Sequence, residues 1–158
     1  MDGMDDTDDY PEDRAERGDT AMRQHYDSDR APEPVGPYPH ARRVGNLLFL
    51  SGIGPRARDR QDIPGVTLGP DGEIASYDIE QQCHSVFHNV RCILEDAGSA
   101  WENLVDITVY LTDMEKDFAV FNRVYREYFR EHQPCRTTVG VSRLPTQIAI
   151  ELKCIATI

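Results

Sequence analysis

Two hydrophobic periods alternate along the chain after residue 35. Apolar residues recur at spacings of three and four from about Asp78 to Ala97, and again from about Glu115 to Glu131, which predicts two amphipathic helices. Apolar and polar residues alternate strictly in LVDITVYL, residues 104–111, which predicts a strand with one buried face. Pro134 cannot continue the second helix. The pattern therefore predicts a single α+β domain.

Turn residues divide the remaining apolar segments into strands. The segment RRVGNLLFLSG predicts a hairpin that turns at Gly45-Asn46 and leads into a strand over Leu47–Ser51. A second turn is predicted at Pro70-Asp71-Gly72, and the polar, breaker-rich residues between these turns predict a loop. Two strands, Arg136–Ser142 and Gln147–Thr157, are predicted to close the domain.

Charge marks a boundary near residue 35. Residues 1–34 carry 12 Asp or Glu against 4 Arg, a net charge of −8, whereas residues 35–158 carry 16 acidic and 13 basic residues, a net charge of −3. The first segment has few aliphatic residues and no apolar period, so burial cannot offset the entropy of ordering it. We therefore predict a disordered acidic arm over 1–34 and a folded domain over 35–158.

Several functional classes are disfavoured by composition. The chain has no run of about 18 apolar residues for a membrane span and no secretory leader pattern, so a cytoplasmic protein that does not contact membranes is expected. Its acidity and lack of a basic stripe disfavour nucleic acid as a partner. The four cysteines show neither metal-ligand spacing nor a disulfide framework, and no metal site is predicted.

Three ionisable residues lie on the two closing strands, which are predicted to be neighbours. Arg136 stands at the edge of PCRTTVGV, and Glu151 with Lys153 shares one face of the last strand. Buried charge needs a partner, so one interpretation is a salt-bridge ladder on an exposed or subunit-facing sheet surface. The other is an anion-binding arginine beside a carboxylate that transfers protons. The pattern alone leaves both open.

A set of motifs resembles the reactive intermediate deaminase family, the Rid or YjgF-like proteins. The resemblance covers about residues 35–158, and its motifs occur in the family's order: GPY at 36–38, LFLSGIGP at 48–55, NVRCILEDAG at 89–98, TVYLTDM at 108–114, PCRTTVGVSRLP at 134–145 and IAIELKCIAT at 148–157. The acidic segment lies outside it.

The resemblance implies a chorismate-mutase-like α+β fold, with two helices packed on one face of a mixed sheet, assembled as a homotrimer with ligand sites between subunits. It also implies hydrolysis of enamines and imines of 2-amino acids to 2-oxo acids and ammonia without a cofactor. By position, the arginine that binds the substrate carboxylate is Arg136 and the acidic residue linked to the reacting water is Glu151. Tyr38 and Gly52 fall on ligand-contacting positions.

Departures from the commonest family pattern point toward the branch that includes 2-aminomuconate deaminase. Thr138 stands where many members have cysteine, and Lys153 replaces an acidic residue. A dicarboxylate substrate such as 2-aminomuconate would use a second cation, for which Arg56 is preferred over Arg58, Arg143 and Lys153. His40 follows Tyr38 closely enough to line the same cleft. The alternatives are a general deaminase of 2-aminoacrylate type and a non-catalytic, carboxylate-binding trimer.

Overall fold

The computed structural model describes residues 23–158. Eight strands and two helices follow one another along this part of the chain. The strands are β1 (Arg23–Tyr26), β2 (Ala41–Val44), β3 (Leu47–Leu50), β4 (Val66–Leu68), β5 (Ile74–Tyr77), β6 (Leu104–Leu111), β7 (Cys135–Gly140) and β8 (Ile150–Thr157). The helices are α1 (Ile79–Asp96) and α2 (Met114–Tyr128), with a 3₁₀ turn at Trp101–Asn103 between them.

Six of the strands form one mixed sheet in the order β1-β2-β3-β8-β6-β7. All its neighbours are antiparallel except β6 and β7, which are parallel because α2 crosses over between them. Strands β4 and β5 form a separate two-stranded ribbon. The predicted α+β class with a mixed sheet and two helices is confirmed.

Both helices begin at an aspartate. Asp78 caps α1 by accepting hydrogen bonds from the backbone N–H groups of Glu80 and Gln81, and Asp113 caps α2 by accepting from that of Lys116. Gly98, at φ +81°, ends the first helical segment in a conformation that favours glycine. The helix predicted over 78–97 is confirmed within one residue, and the second ends three residues earlier than predicted.

Only one face of the sheet carries the hydrophobic core. Residues such as Leu48, Ile107, Val109 and Leu152 alternate inward along their strands and pack beneath α1 and α2. The opposite face, which we call the open face, presents Glu151, Lys153 and their register partners Tyr110 and Thr108. Among residues 23–158, no helix is long and apolar enough to cross a membrane.

The boundary predicted at residue 35 is wrong for residues 23–34. Strand β1 pairs with β2, and Ala31 is fully buried in the core. Ser28 Oγ donates to Asp96 Oδ2 (2.6 Å) and Arg30 pairs with the same carboxylate, which fixes this segment to the end of α1. The segment is attached mainly by hydrogen bonds and ion pairs. The hydrophobic pattern of a sequence does not reveal such contacts, so the boundary was predicted too late in the chain. The rest of the predicted arm, 1–22, lies outside the described residues.

The two closing strands are also not neighbours. Strand β6 lies between β7 and β8, so that Arg136 and Cys154 both align with Ile107 on opposite sides of it. Residues that align across a ladder point to the same face. Arg136 therefore lies on the helix side of the sheet, whereas Glu151 and Lys153 lie on the open face.

Candidate functional site

Arg136 is held by one face of α2. Its Nη1 donates to Asn122 Oδ1 (2.9 Å), and its Cζ lies 4.6 Å from the ring centroid of Tyr125 and 5.4 Å from that of Phe121. Phe118 lies slightly farther away, at 6.0 Å. Cation–π contacts of this kind contribute roughly 0.5–2 kcal/mol each and orient the guanidinium plane. Within residues 23–158 no carboxylate pairs with it, so its remaining N–H groups are available to an anion.

Two buried hydroxyls lie on the same side of the sheet as Arg136. Thr138 comes two residues later on β7, and its Oγ1 is buried without a hydrogen-bond partner in the described chain. The hydroxyl of Tyr125 is likewise buried and unpartnered, and burial raises its pKa to about 12. Both hydroxyls therefore stay protonated at neutral pH and can donate or accept a hydrogen bond. The substrate-binding role predicted for Thr138 stays a prediction, and the structure places its hydroxyl on the same side of the sheet as Arg136.

Glu151 lies on the open face against Gly52. A Cβ atom on Gly52 would lie 2.8 Å from Glu151 Oε1. Real Cβ atoms do not approach an oxygen this closely, so the carboxyl would have to move. The carboxyl is half-buried, and burial raises its pKa above the usual range. A carboxyl in this state can hold a proton closer to neutral pH and release it again, as general acid–base catalysis requires.

A narrow crevice joins four residues that the sequence singled out. Tyr38, His40, Gly52 and Arg56 line it, together with Ser51, Ile53, Gly54 and two prolines, Pro32 and Pro34. It encloses about 20 Å³, which is room for about one water molecule in the single chain. A substrate-sized site at this position therefore needs additional walls.

Helix α1 fixes the loop that carries Arg56. Asn89 Nδ2 donates to the carbonyls of Gly54 (2.9 Å) and Arg56 (2.6 Å), and Ser85 Oγ donates to that of Pro55 (2.7 Å). The Arg56 guanidinium donates through Nη2 to the carbonyl of Glu33 (2.6 Å) and keeps its other N–H groups. The hydrogen bonds from Ser85 and Asn89 thus fix the backbone of the loop Gly54–Arg56 at the crevice.

The other candidate cations are less well placed. Lys153 donates from Nζ to the carbonyl of Leu50, and Arg58 pairs with the Glu33 carboxylate (3.2 Å) and with the carbonyls of Ser28 and Ala31. Arg143 lies in a separate groove beside Glu73 and Gln147. Of the four candidates, Arg56 alone lines the crevice with Tyr38 and Gly52.

A single chain does not bring Arg136 and Glu151 into one site. They project from opposite faces of the sheet, and within residues 23–158 no ion pair joins Arg136, Glu151 or Lys153 to one another. The salt-bridge ladder is therefore wrong for this chain. Each face of the sheet instead carries one of the two groups, the Arg136 guanidinium on the helix side and the Glu151 carboxyl on the open face.

Several residues that surround Arg136 were not predicted from the sequence as part of a site. Phe118, Phe121 and Tyr125 fall on the apolar face of the second predicted helix, and they also form the surface on which Arg136 rests. Asn122 shares that helical face and was not considered. Its spacing from Tyr125 and Phe118, of three and four residues, is the signal that could have found it. Among residues 23–158, no group of three His, Cys, Asp or Glu side chains is arranged to hold a metal ion.

Comparison with known sequences decides the family. A sequence model described as Endoribonuclease L-PSP matches residues 28–158, which is most of the chain. The chain belongs to this family. The match begins within the segment that the structure attaches to the domain, and it agrees with the correction of the boundary at residue 35. The resemblance to the Rid or YjgF-like proteins is confirmed by the relatives described next.

Curated relatives and solved structures cover nearly the whole domain. A RutC family protein of Pyrococcus abyssi is 43% identical over 130 residues, covering 82% of this chain and 92% of that protein. TdcF of Escherichia coli, named provisionally as a reactive intermediate deaminase, is 33% identical over 138 residues, covering 85% and 97%. The crystal structure of TdcF with bound serine superposes with a TM-score of 0.73 at 31% identity, covering 85% and 98%. That of the YjgF gene product from E. coli gives 0.72 at 31% identity, with coverages of 85% and 98%.

Proposed function

We propose that the protein is a cofactor-free hydrolytic deaminase of enamine and imine 2-amino acids, and that its substrate is 2-aminomuconate. The products would be 2-oxohex-3-enedioate and ammonia. The observation that carries the proposal is the Arg136 guanidinium, which rests on three aromatic rings and Asn122 and has no carboxylate partner in the described chain. A planar carboxylate matches its free N–H groups in a bidentate geometry.

The reaction needs a proton donor and a positioned water more than it needs a cofactor. An enamine first takes a proton at carbon to become an imine. Water then adds to the C=N carbon, and the resulting carbinolamine expels ammonia as its nitrogen is protonated, leaving the 2-oxo acid. Glu151, whose pKa burial raises, is suited to give and take these protons. Arg136 anchors the carboxylate and keeps its own charge throughout.

A complete site would form between two copies of the chain. Arg136 and Glu151 project from opposite faces of the sheet, and the crevice at Tyr38 has room for about one water in a single chain. We propose a homotrimer in which the open face of each sheet is covered and the Arg136 side of one subunit meets the Glu151 side of the next. The open face carries exposed Leu47, Val44 and Val139, which favours its burial in an assembly.

Arg56 supports the choice of a dicarboxylate. It lines the crevice with Tyr38 and Gly52 and keeps N–H groups beyond the one donated to Glu33. A substrate whose first carboxylate binds Arg136 could place its second carboxylate near the Arg56 guanidinium.

The bound serine in the TdcF crystal structure favours the alternative, a general deaminase of 2-aminoacrylate type, because serine has a single carboxylate beside its amino group.

RNA cleavage is suggested only by the family description. A chain with a net charge of −11 repels a phosphate backbone unless a basic surface compensates. The acidic balance therefore favours a small carboxylate as the substrate. An RNA incubation control belongs in the first assay.

The test is a substrate comparison. Purified protein is mixed with enzymatically generated 2-aminomuconate, and ultraviolet decay and ammonia release are followed beside the same assay with a 2-aminoacrylate-type imine. We expect faster turnover of the dicarboxylate, and a loss of about 100-fold in Arg136→Ala. Arg126→Ala, an exposed arginine in the last turn of α2, is the matched control. No acceleration of either substrate would overturn deamination, and a preference for the monocarboxylate would overturn 2-aminomuconate.

A further inference from the structure

His40 is buried and connects the crevice to the segment that precedes it. We call residues 27–34 the strap; its Pro32 and Pro34 form one wall of the crevice. His40 is 3% exposed, and both of its ring nitrogens contact the strap backbone. Nδ1 lies 2.9 Å from the Ser28 nitrogen, and Nε2 lies 2.7 Å from the Pro32 carbonyl oxygen.

These two contacts fix the protonation state of the ring. A backbone N–H can only donate, so Nδ1 must accept and carry no proton. A carbonyl oxygen can only accept, so Nε2 must carry the proton. Only the neutral imidazole with hydrogen on Nε2 satisfies both bonds.

Protonation would replace the Ser28 bond by a different contact. A proton on Nδ1 would face the Ser28 N–H, donor against donor, at 2.9 Å. The Asp27 carboxylate lies 3.8 Å from the same Nδ1 and becomes the better partner once the ring is charged. Charging His40 therefore exchanges the Ser28 backbone bond for an ion pair with Asp27, the first residue of the strap, and leaves the Nε2–H bond to the Pro32 carbonyl in place.

The surrounding charges are mixed. The cavity next to the crevice, which shares Tyr38 and His40 with it, is also lined by Asp27, Asp29, Glu33 and Arg58. Asp96 faces the same region through Ser28 Oγ and pairs with Arg30. Charges of both signs therefore lie around the cavity that His40 lines.

His40 also contacts the segment that follows β3, on the other side of the crevice from the strap. Its carbonyl accepts from the Ser51 N–H (2.9 Å), and Gly52, against which Glu151 lies, follows directly. One residue thus joins the strap wall to the strand end that carries Gly52.

We propose that His40 is a positioning residue whose neutral form holds both Ser28 and Pro32 of the strap, and whose protonation releases the Ser28 end of the strap and weakens substrate binding. Its effect on catalysis depends on the proposed deaminase function, but its effect on the strap does not. The strap therefore provides a readout that is independent of activity.

The experiment is hydrogen exchange of the strap amides in the full chain between about pH 5 and pH 8, corrected for the intrinsic exchange rate. In the wild type we expect the corrected exchange of Ser28 and its neighbours to rise about tenfold on acidification, as for one lost hydrogen bond. His40→Asn keeps an acceptor for Ser28, and His40→Gln keeps a donor for Pro32, and neither titrates. Both variants should show exchange that does not change with pH. Asp27→Asn should move the wild-type transition to lower pH, and exposed His84→Gln should leave it in place.

Kinetics complete the test. With the imine substrate, acidification should raise KM more in the wild type than in His40→Asn. The change in kcat with pH should be the same in the two proteins. Equal pH dependence of strap exchange in the wild type and in both His40 variants would overturn the proposal. A protein that shows the exchange transition but no turnover would contradict the deaminase function and leave the His40 mechanism standing.

Discussion

The carboxyl group of Glu151 occupies the space that a side chain at Gly52 would fill, with Oε1 only 2.8 Å from the position of a Cβ. Glu151 comes from β8, and Gly52 follows β3 just before Ile53 pairs with Leu152. Gly52 lines the crevice, so the carboxyl lies directly beside one of its walls. Any side chain at residue 52 must displace it.

Gly52→Ala should therefore lower activity with little loss of stability. The contacting atom is the end of a flexible side chain, so the fold can adjust while the carboxyl moves away from the substrate. We expect kcat to fall about tenfold or more, as when a catalytic group is misplaced, with Tm nearly unchanged. Gly69→Ala is the matched control, since a Cβ there would approach the Asp71 carboxylate at 3.0 Å, away from the site. Equal losses in the two variants would contradict the assignment.

The half-buried carboxyl of Glu151 also predicts a pH-dependent stability. Because its folded pKa is raised, the folded state binds this proton more tightly than the unfolded state. The group therefore favours folding below its unfolded pKa, and this contribution is lost as pH rises through the folded pKa. Glu151→Gln should unfold at a higher temperature than the wild type at pH 8, and the difference should shrink toward about pH 4.

Thermal unfolding across this pH range measures the effect, with exposed Glu131→Gln as the control. Glu151→Gln should at the same time lose most of its turnover, since the amide cannot transfer the proton. A variant that is destabilised at pH 8 would show that the ionised carboxylate has a favourable partner in the assembled protein.

The elements of the fold could be predicted from the sequence, but their arrangement could not. The helical period placed α1 within one residue, and the alternation in 104–111 gave β6 its bounds. A period of two tells which residues of one strand share a face, but not which strands are neighbours. The insertion of β6 between β7 and β8 was therefore missed, and with it the separation of Arg136 from Glu151.

The strap shows a second limit of pattern reasoning. Its residues carry too little apolar surface to predict burial, yet Ala31 is fully buried and Ser28 nearly so. Distant polar groups, among them His40, Arg58 and Asp96, hold the segment in place. Contacts of this kind depend on tertiary structure, so neither period nor composition reveals them.

The strap's place in the core can be tested at Ala31. Ala31→Leu adds three carbon atoms at a fully buried position, and overpacking of this kind costs about 1–3 kcal/mol. We expect Tm to fall by roughly 3–10 °C in thermal unfolding. Ala119→Leu, exposed on α2, should change Tm little. An unaffected Ala31→Leu variant would place this segment outside the core.

Asn122 should act through Arg136 rather than on the substrate. It accepts one hydrogen bond from Nη1 (2.9 Å), so its loss frees the guanidinium to tilt on the aromatic rings. For Asn122→Ala we expect KM to rise about tenfold with a smaller change in kcat, as for a weakened carboxylate anchor. Steady-state kinetics beside Arg126→Ala measure the difference. A fall in kcat at constant KM would contradict this role.

The separation of Arg136 from Glu151 by the sheet yields a test of the shared site. If each site takes Arg136 from one subunit and Glu151 from the next, chains of Arg136→Ala and Glu151→Gln can complement each other. Each variant alone should be nearly inactive. Unfolded together at equal amounts and refolded, they should regain about one quarter of the wild-type activity, because about one interface in four combines an intact arginine with an intact glutamate. Refolding the double variant Arg136→Ala/Glu151→Gln alone controls for residual activity. If both groups acted within one chain, every site in the mixture would carry a lesion, and no activity would return.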